Sequence, residues 1–148
     1  MVRSGWVPPR SPYGLIQEDL FPSEWHILCS CIFLNLTSRK TADPILKKFF
    51  MMFEQPSQLL TTTQDEVGEL IAPLGLKTRR VQSLFSMSEQ FVKRDWISSR
   101  ELSGIGEYGG TTHDMFCLGK LPSASPSDGA LELYWRWAHA NKDQCDWL

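Results

Sequence analysis

The chain has no excess of positive charge: 15 Lys and Arg stand against 17 Asp and Glu, a formal net charge of −2. That is the wrong sign for a protein held on nucleic acid mainly by a broad basic surface. Its four cysteines, Cys29, Cys31, Cys117 and Cys145, form no CxxC pair, so neither a zinc ribbon nor a four-cysteine iron–sulfur site is supported and the thiols read as buried. The longest apolar stretch, residues 27–34, is interrupted by Ser30 and falls far short of the roughly 20 residues of a membrane-spanning helix. The opening Met1-Val2-Arg3-Ser4-Gly5-Trp6 lacks an apolar signal core, so an intracellular protein with no membrane partner is expected. His26, His113 and His139 share no metal-ligand spacing; they read as core or surface residues, and neither a metal nor another cofactor is expected. GxxxxGK[ST], GxGxxG and GxSxG are all missing, which removes the signals for nucleotide-phosphate binding and serine hydrolysis.

What is present is ordinary for a folded domain. The 148 residues are 42% hydrophobic and 22% charged, with six Trp and eight Phe, enough for one domain with a substantial core. Basic residues gather only locally, in Arg39-Lys40, Lys47-Lys48, Lys77-Thr78-Arg79-Arg80 and Lys93-Arg94, and these short runs read as solvated helix faces or, alternatively, a local patch.

Residues 1–23 hold Pro8, Pro9, Pro12 and Pro22 and are expected to form an irregular arm wrapping a single helical domain over 24–148. From Glu24 the apolar residues recur at steps of three and four, predicting a helix to about Leu36 that is buried on one face. Asp43-Pro44 has the form of a helix start before Ile45, Leu46, Phe49, Phe50 and Phe53. Thr63 and Glu66 have capping-box spacing ahead of a short helix ending near Pro73, with Thr63 bonding forward and Glu66 reaching back. Leu74-Gly75-Leu76 reads as a turn, followed by a long helix carrying Val81, Leu84, Phe85, Met87, Phe91 and Val92. Ser98 and Glu101 repeat the box before a turn or two of helix, Gly104-Ile105-Gly106 stops it, and a helical pattern resumes from Tyr108 to Leu118. After a Pro/Ser loop over Gly119–Ser127, Asp128 stands at the start of a last helix, whose Tyr134, Trp135 and Trp137 read as core. No alternating β-branched run occurs, so the chain reads as all-α.

Leu102-Ser103-Gly104-Ile105-Gly106-Glu107-Tyr108-Gly109 fits a helix-hairpin-helix pattern. Its backbone N–H groups, at the positive end of the following helix, can hold a DNA phosphate without a basic side chain, which reconciles DNA binding with an acidic chain. By itself the octet is equally a tight interhelical turn, and Asp128 by itself is equally an N-cap. Taken together, the G-I-G turn, the helix of about a dozen residues and the Asp soon after it resemble the helix-hairpin-helix base-excision DNA glycosylases. Within them the sequence is similar to the mismatch-specific glycosylase domains of methyl-CpG-binding domain proteins. The resemblance runs in register through Pro8-Pro9-Arg10-Ser11-Pro12, Leu15-Ile16-Gln17-Glu18, Ile32-Phe33-Leu34-Asn35, Thr37-Ser38, Pro73-Leu74-Gly75-Leu76, the hairpin, Phe116-Cys117 and Pro126-Ser127-Asp128.

The resemblance implies a helical fold with its active site in a cleft between two halves. It implies a nuclear, monomeric glycosylase of base excision repair that removes thymine or uracil mispaired with guanine in double-stranded DNA, including mismatches in a CpG context. Asp128 corresponds to the carboxylate that assists N-glycosidic cleavage. Ile16, Gln17 and Tyr108 correspond to the pocket for the flipped base, Leu76 to the wedge entering the duplex, and Gly104, Ile105 and Gly106 to the phosphate-holding hairpin. Tyr108 stands where strand-cleaving relatives carry a lysine nucleophile, which implies a catalytic position without lyase chemistry. Three departures bear on DNA binding: Leu36 replaces an arginine that fills the space left by the flipped nucleotide, so that plug is apolar or comes from Arg39; Ala130 replaces a lysine; Ser103 replaces a histidine. Each removes a cationic or ionisable group, implying weaker binding and a shallower salt dependence. The rival readings are a non-catalytic mismatch-binding module of the same fold and a general protein-interaction helical domain.

Overall fold

The structure, a computed structural model, describes residues 1–34, 39–127 and 129–148, and every regular element among them is helical. The α-helices are α1 (Ile16–Leu20), α2 (Glu24–Leu34), α3 (Arg39–Met52), α4 (Pro56–Leu60), α5 (Gln64–Ile71), α6 (Lys77–Lys93), α7 (Gly106–Phe116) and α8 (Gly129–Ala140). Short 3₁₀ turns cover Ala72–Leu74, Ser99–Glu101 and Lys142–Gln144. No helix is long and apolar enough to cross a membrane among the described residues.

Local chemistry accounts for most of the boundaries. Thr63 accepts a hydrogen bond from the Glu66 N–H at 3.2 Å and so opens α5. The other half of that expected box is absent: the Glu66 carboxylate instead accepts from the Thr62 hydroxyl at 2.6 Å. At Ser98 the box is complete, with Glu101 accepting from the Ser98 N–H at 2.7 Å. Asp43 does not start a helix. α3 already runs from Arg39, whose guanidinium lies 3.2 Å from the Asp43 carboxylate one turn on, so the side chain expected to cap is engaged inside the helix. Pro44 is carried within α3, where it lacks only the bond to the Lys40 carbonyl.

Two apolar clusters form the interior. The larger joins α2 to α6 through residues such as Leu28, Phe33, Leu46, Phe49, Ile71, Leu84 and Met87, with Ile105 of the hairpin against it. The smaller gathers Leu15, Ile27, Met115, Phe116, Leu131, Tyr134 and Ala138 from the arm, α2, α7 and α8. α2 is the element common to both, and it is buried on almost every side, from Glu24 and Trp25 to Phe33, rather than on one face as its periodicity predicts. A helix apolar all round is a central helix, and α2 packs on α1, α3, α6 and α7.

The arm contains a helix that its prolines did not announce. α1 is held at its start by Glu18, whose carboxylate accepts from the Leu15 N–H at 2.7 Å, the Ser11 N–H at 2.7 Å and the Ser11 hydroxyl at 2.8 Å. The rest of the segment is fastened to the smaller cluster. Arg3 N–H donates to the Cys117 carbonyl at 2.8 Å, the Trp6 indole to Phe116 at 3.1 Å, and the buried Tyr134 hydroxyl to Pro9 at 2.7 Å. Trp6 also meets Trp147, with ring centroids 4.7 Å apart.

The hairpin depends on Gly104 for two reasons. Its φ is +78°, and an added Cβ would lie 2.9 Å from the Ser83 Cβ and 3.3 Å from Ile32. Gly106 also has positive φ, +55°, but its Cβ would meet nothing within 4 Å. Gly104→Ala is therefore expected to cost about 2–4 kcal/mol in a urea titration, from backbone strain and overpacking together, and Gly106→Ala only about 1 kcal/mol from strain alone. Equal losses would place the two glycines in equivalent surroundings and contradict this packing.

Candidate active site

A cleft of about 470 Å³ opens where the arm, α7 and α8 converge. Ile16 and Gln17 reach it from α1, Tyr108 from the first turn of α7, and Ala130 and Leu133 from α8, with Arg39 at its edge. The three residues expected to line a base pocket, Ile16, Gln17 and Tyr108, are thus brought together across more than 90 residues of sequence, and the Gln17 Nε2 donates to the Tyr108 hydroxyl at 3.2 Å. Gln17 is only 2% exposed, so it is not the solvent-facing residue that an irregular arm would carry. Tyr108 packs against both apolar clusters, which places it on the seam between the two halves. Asp128 and Leu36 lie outside the described residues. α8 begins at Gly129, next to Asp128 in sequence.

A second groove, of about 560 Å³, is lined by Gly104, Ile105 and Gly106 on one side and by Leu76, Arg79 and Arg80 on the other, and Tyr108 borders it as well. The hairpin presents the N-terminal end of α7, where the helix dipole is positive and favours an anion. Ile105 is buried in the larger core and anchors the turn. The Ser103 N–H is held by the Gln90 side-chain oxygen at 2.8 Å. Across the groove, Leu76 is 54% exposed and adopts φ +51°, ψ +35° directly after Gly75 at φ +80°. A left-handed leucine costs of order 1–2 kcal/mol, so the surrounding structure must hold this projecting apolar side chain in place.

Sequence reasoning missed Arg80. In the basic run it reads as part of a solvated face, and Lys77 and Arg79 are exposed, yet Arg80 is 4% exposed. Its guanidinium donates to the Leu74 carbonyl at 2.6 Å and the Gly75 carbonyl at 3.0 Å. Nothing in the residue pattern distinguishes it from Arg79 one position earlier; only the packing of α6 does. Arg100 was missed as well. It pairs with Glu107 at 3.1 Å and with Asp114 at 3.1 Å, so it offsets the acidic Glu107 that stands on the first turn of the hairpin helix.

An ionic cluster centred on the buried Glu24 and His113 joins the hairpin helix to α2. Glu24, 6% exposed, accepts from His113 Nε2 at 2.7 Å and from Arg94 at 2.8 Å and lies 3.0 Å from the Met1 amino group. Burial alone would raise this carboxyl, but the hydrogen bonds from His113, Arg94 and the amino group prevail and hold it at about 2. His113 is therefore a buried partner joining α7 to the start of α2. His26 bonds the Phe53 carbonyl at 2.7 Å, and burial lowers its pKa. Cys29, Cys31 and Cys117 are buried as expected, whereas Cys145 is only half-buried; burial pushes the Cys29 and Cys117 thiols up. Tyr134 is core, but Trp135 and Trp137 are only partly buried at its margin, where the Trp135 indole donates to the Pro122 carbonyl at 2.7 Å and ties the Pro/Ser loop to α8. Among the described residues no group of three or more His, Cys, Asp or Glu is arranged to hold a metal ion.

Residues 29–146 match the family model described as HhH-GPD superfamily base excision DNA repair protein. A methyl-CpG-binding domain protein 4-like protein of Arabidopsis thaliana is 32% identical over 130 residues, covering 88% of this chain and 29% of that protein. A thymine/uracil-DNA glycosylase of Pyrobaculum aerophilum is 26% identical over 103 residues, covering 65% of this chain and 45% of the relative. The chain thus spans less than half the length of these curated relatives. Among solved structures, that of a thermostable thymine-DNA glycosylase shares the fold, with a TM-score of 0.63 at 21% identity over 70% of this chain and 51% of the other.

Proposed function

As the chain belongs to the HhH-GPD superfamily of base excision DNA repair proteins, we propose that it is a monofunctional DNA N-glycosylase removing thymine or uracil mispaired with guanine. The observation that carries this reading is the pair of the buried Gln17 and the half-buried Tyr108, 3.2 Å apart, in a cleft bordering the groove that holds both the hairpin and Leu76. A base in duplex DNA is out of reach of such a cleft unless it is turned out of the stack, and a weakly paired mismatch is the easiest to turn out. Leu76 then enters the duplex, the hairpin N–H groups grip a backbone phosphate, and Gln17 reads the edge of the extruded pyrimidine with an amide that both donates and accepts.

Asp128 supplies the chemistry in this reading, on the strength of the family resemblance. As the C1′–N bond breaks, positive charge grows on the sugar, and the Asp128 carboxylate stabilises it and orients a water. The water oxygen bonds C1′, its proton leaves to solvent, and the departing base takes up a proton at nitrogen. Tyr108 supplies a phenol where an amine would be needed to form a Schiff base, so an abasic site with an unbroken strand is the product. The protein acts as a monomer without metal or other cofactor, in the nucleus, on double-stranded DNA, including G·T and G·U mismatches in CpG context.

End-labelled duplexes with a single G·T, G·U or G·C pair provide the test. Strand breaks at the first two that appear only after hot alkali are the expected result. Selective binding with no alkali-labile site would make the chain a non-catalytic mismatch-binding module, no duplex binding at all would make it a protein-interaction domain, and breaks without alkali would overturn the role given to Tyr108.

A further inference from the structure

We propose that Arg80 is a positioning residue that holds Leu76 in its projecting left-handed conformation and thereby sets how readily the protein opens a duplex. The inference rests on the base-excision reading for what Leu76 does, and on the geometry for how Leu76 is held. A basic residue beside a DNA groove ordinarily serves phosphates, as the exposed Lys77 and Arg79 are free to do. Arg80 is turned the other way. Its Nη1 donates to the carbonyls of Leu74, at 2.6 Å, and Gly75, at 3.0 Å, and its backbone N–H donates to the carbonyl of Leu76 at 2.9 Å. The guanidinium therefore grips two successive carbonyls of the turn, and the first backbone bond of α6 closes on the third. Charge-assisted bonds are stronger than ordinary ones, and the bond to Leu74 is buried while that to Gly75 is partly so; together they curl the chain so that Leu76 points outward at φ +51° despite the cost of that backbone for leucine. Held this way, Leu76 enters the duplex already ordered, and its conformational entropy is lost on folding instead of on binding.

The assignment predicts that Arg80 acts through Leu76. A duplex with 2-aminopurine beside the thymine of a G·T pair brightens when the stack is opened, and the whole chain is used with thermal melting as a check on folding. Arg80→Met, which keeps the apolar stem, and Leu76→Ala should each slow the brightening and the excision by about tenfold, as loss of the anchoring bonds would. The double variant should be no slower than Leu76→Ala alone. Arg80→Lys keeps the charge but not the planar fork, should fall between wild type and Arg80→Met, and carries the comparison if Arg80→Met is unfolded. Losses that multiply in the double variant, or an Arg80→Met protein that opens DNA at the wild-type rate, would overturn the proposal. A wild-type protein that opens the mismatch through Leu76 but excises nothing would overturn the glycosylase reading and leave Arg80 its role; one that opens nothing would overturn the role itself.

Discussion

Asp128→Asn is expected to lower single-turnover excision of thymine from a G·T duplex by at least about a hundredfold while leaving binding to that duplex essentially unchanged. Asparagine has nearly the same shape as aspartate and keeps hydrogen bonding, but carries no charge, so what it removes is the interaction that strengthens as the sugar becomes cationic. An interaction made only in the transition state lowers the rate and spares affinity, and each tenfold loss corresponds to about 1.4 kcal/mol of that selective stabilisation. The measurement is rapid mixing of excess enzyme with labelled duplex, alkali quench and quantified cleavage, alongside titration of the same duplex. A variant that excises within about tenfold of wild type would move the catalytic charge to another residue, and one that loses binding in parallel would make Asp128 structural.

Acid should unfold this protein through Glu24. In the folded state its carboxyl is held at about 2 against an ordinary value of 4.5, because the buried His113, the half-buried Arg94 and the exposed Met1 amino group all donate to it and outweigh its own burial. The unfolded chain therefore takes up the proton first as pH falls. The stability supplied by this charge is fully present above about pH 4.5, declines through the interval below it and is gone once pH drops past the folded value near 2, an effect on the order of 3 kcal/mol. Urea titrations at pH 7 and pH 3 should show about two-thirds of that loss in wild type and much less of it in Glu24→Gln, which should also be destabilised at pH 7 by about 2–3 kcal/mol because the buried His113 and the half-buried Arg94 lose their carboxylate partner. Equal pH dependence in the two proteins would show that Glu24 is not held as its contacts require.

The effect would reach the site, since His113 sits on the hairpin helix and Glu24 at the head of the central one. A cluster of this kind is invisible in the sequence. Glu24 reads only as the first residue of a helix and His113 as one of three scattered histidines, because their attraction spans 89 positions and depends on α2 and α7 lying side by side. Gln17 shows the same limit: four prolines describe the arm, but only the packing of α1 on α2, which brings Gln17 to Tyr108 of α7, turns an arm residue into part of a pocket.

The sequence by itself determined the helical class, the capped start of α5, the Gly75–Leu76 turn and the glycine hairpin. Periodicity, caps and positive-φ glycines are properties of a few consecutive residues, so they are written where they act. Tertiary structure decided what those residues do not specify: that α2 is enclosed on almost every side, that Asp43 is engaged by Arg39 before it could cap, that Cys145 stays half-exposed, and that Arg80 faces inward while Arg79 faces water. Each of these depends on which distant segment removes water from a side chain, and burial, with the hydrogen bonds it makes obligatory, is settled only when the whole chain has packed.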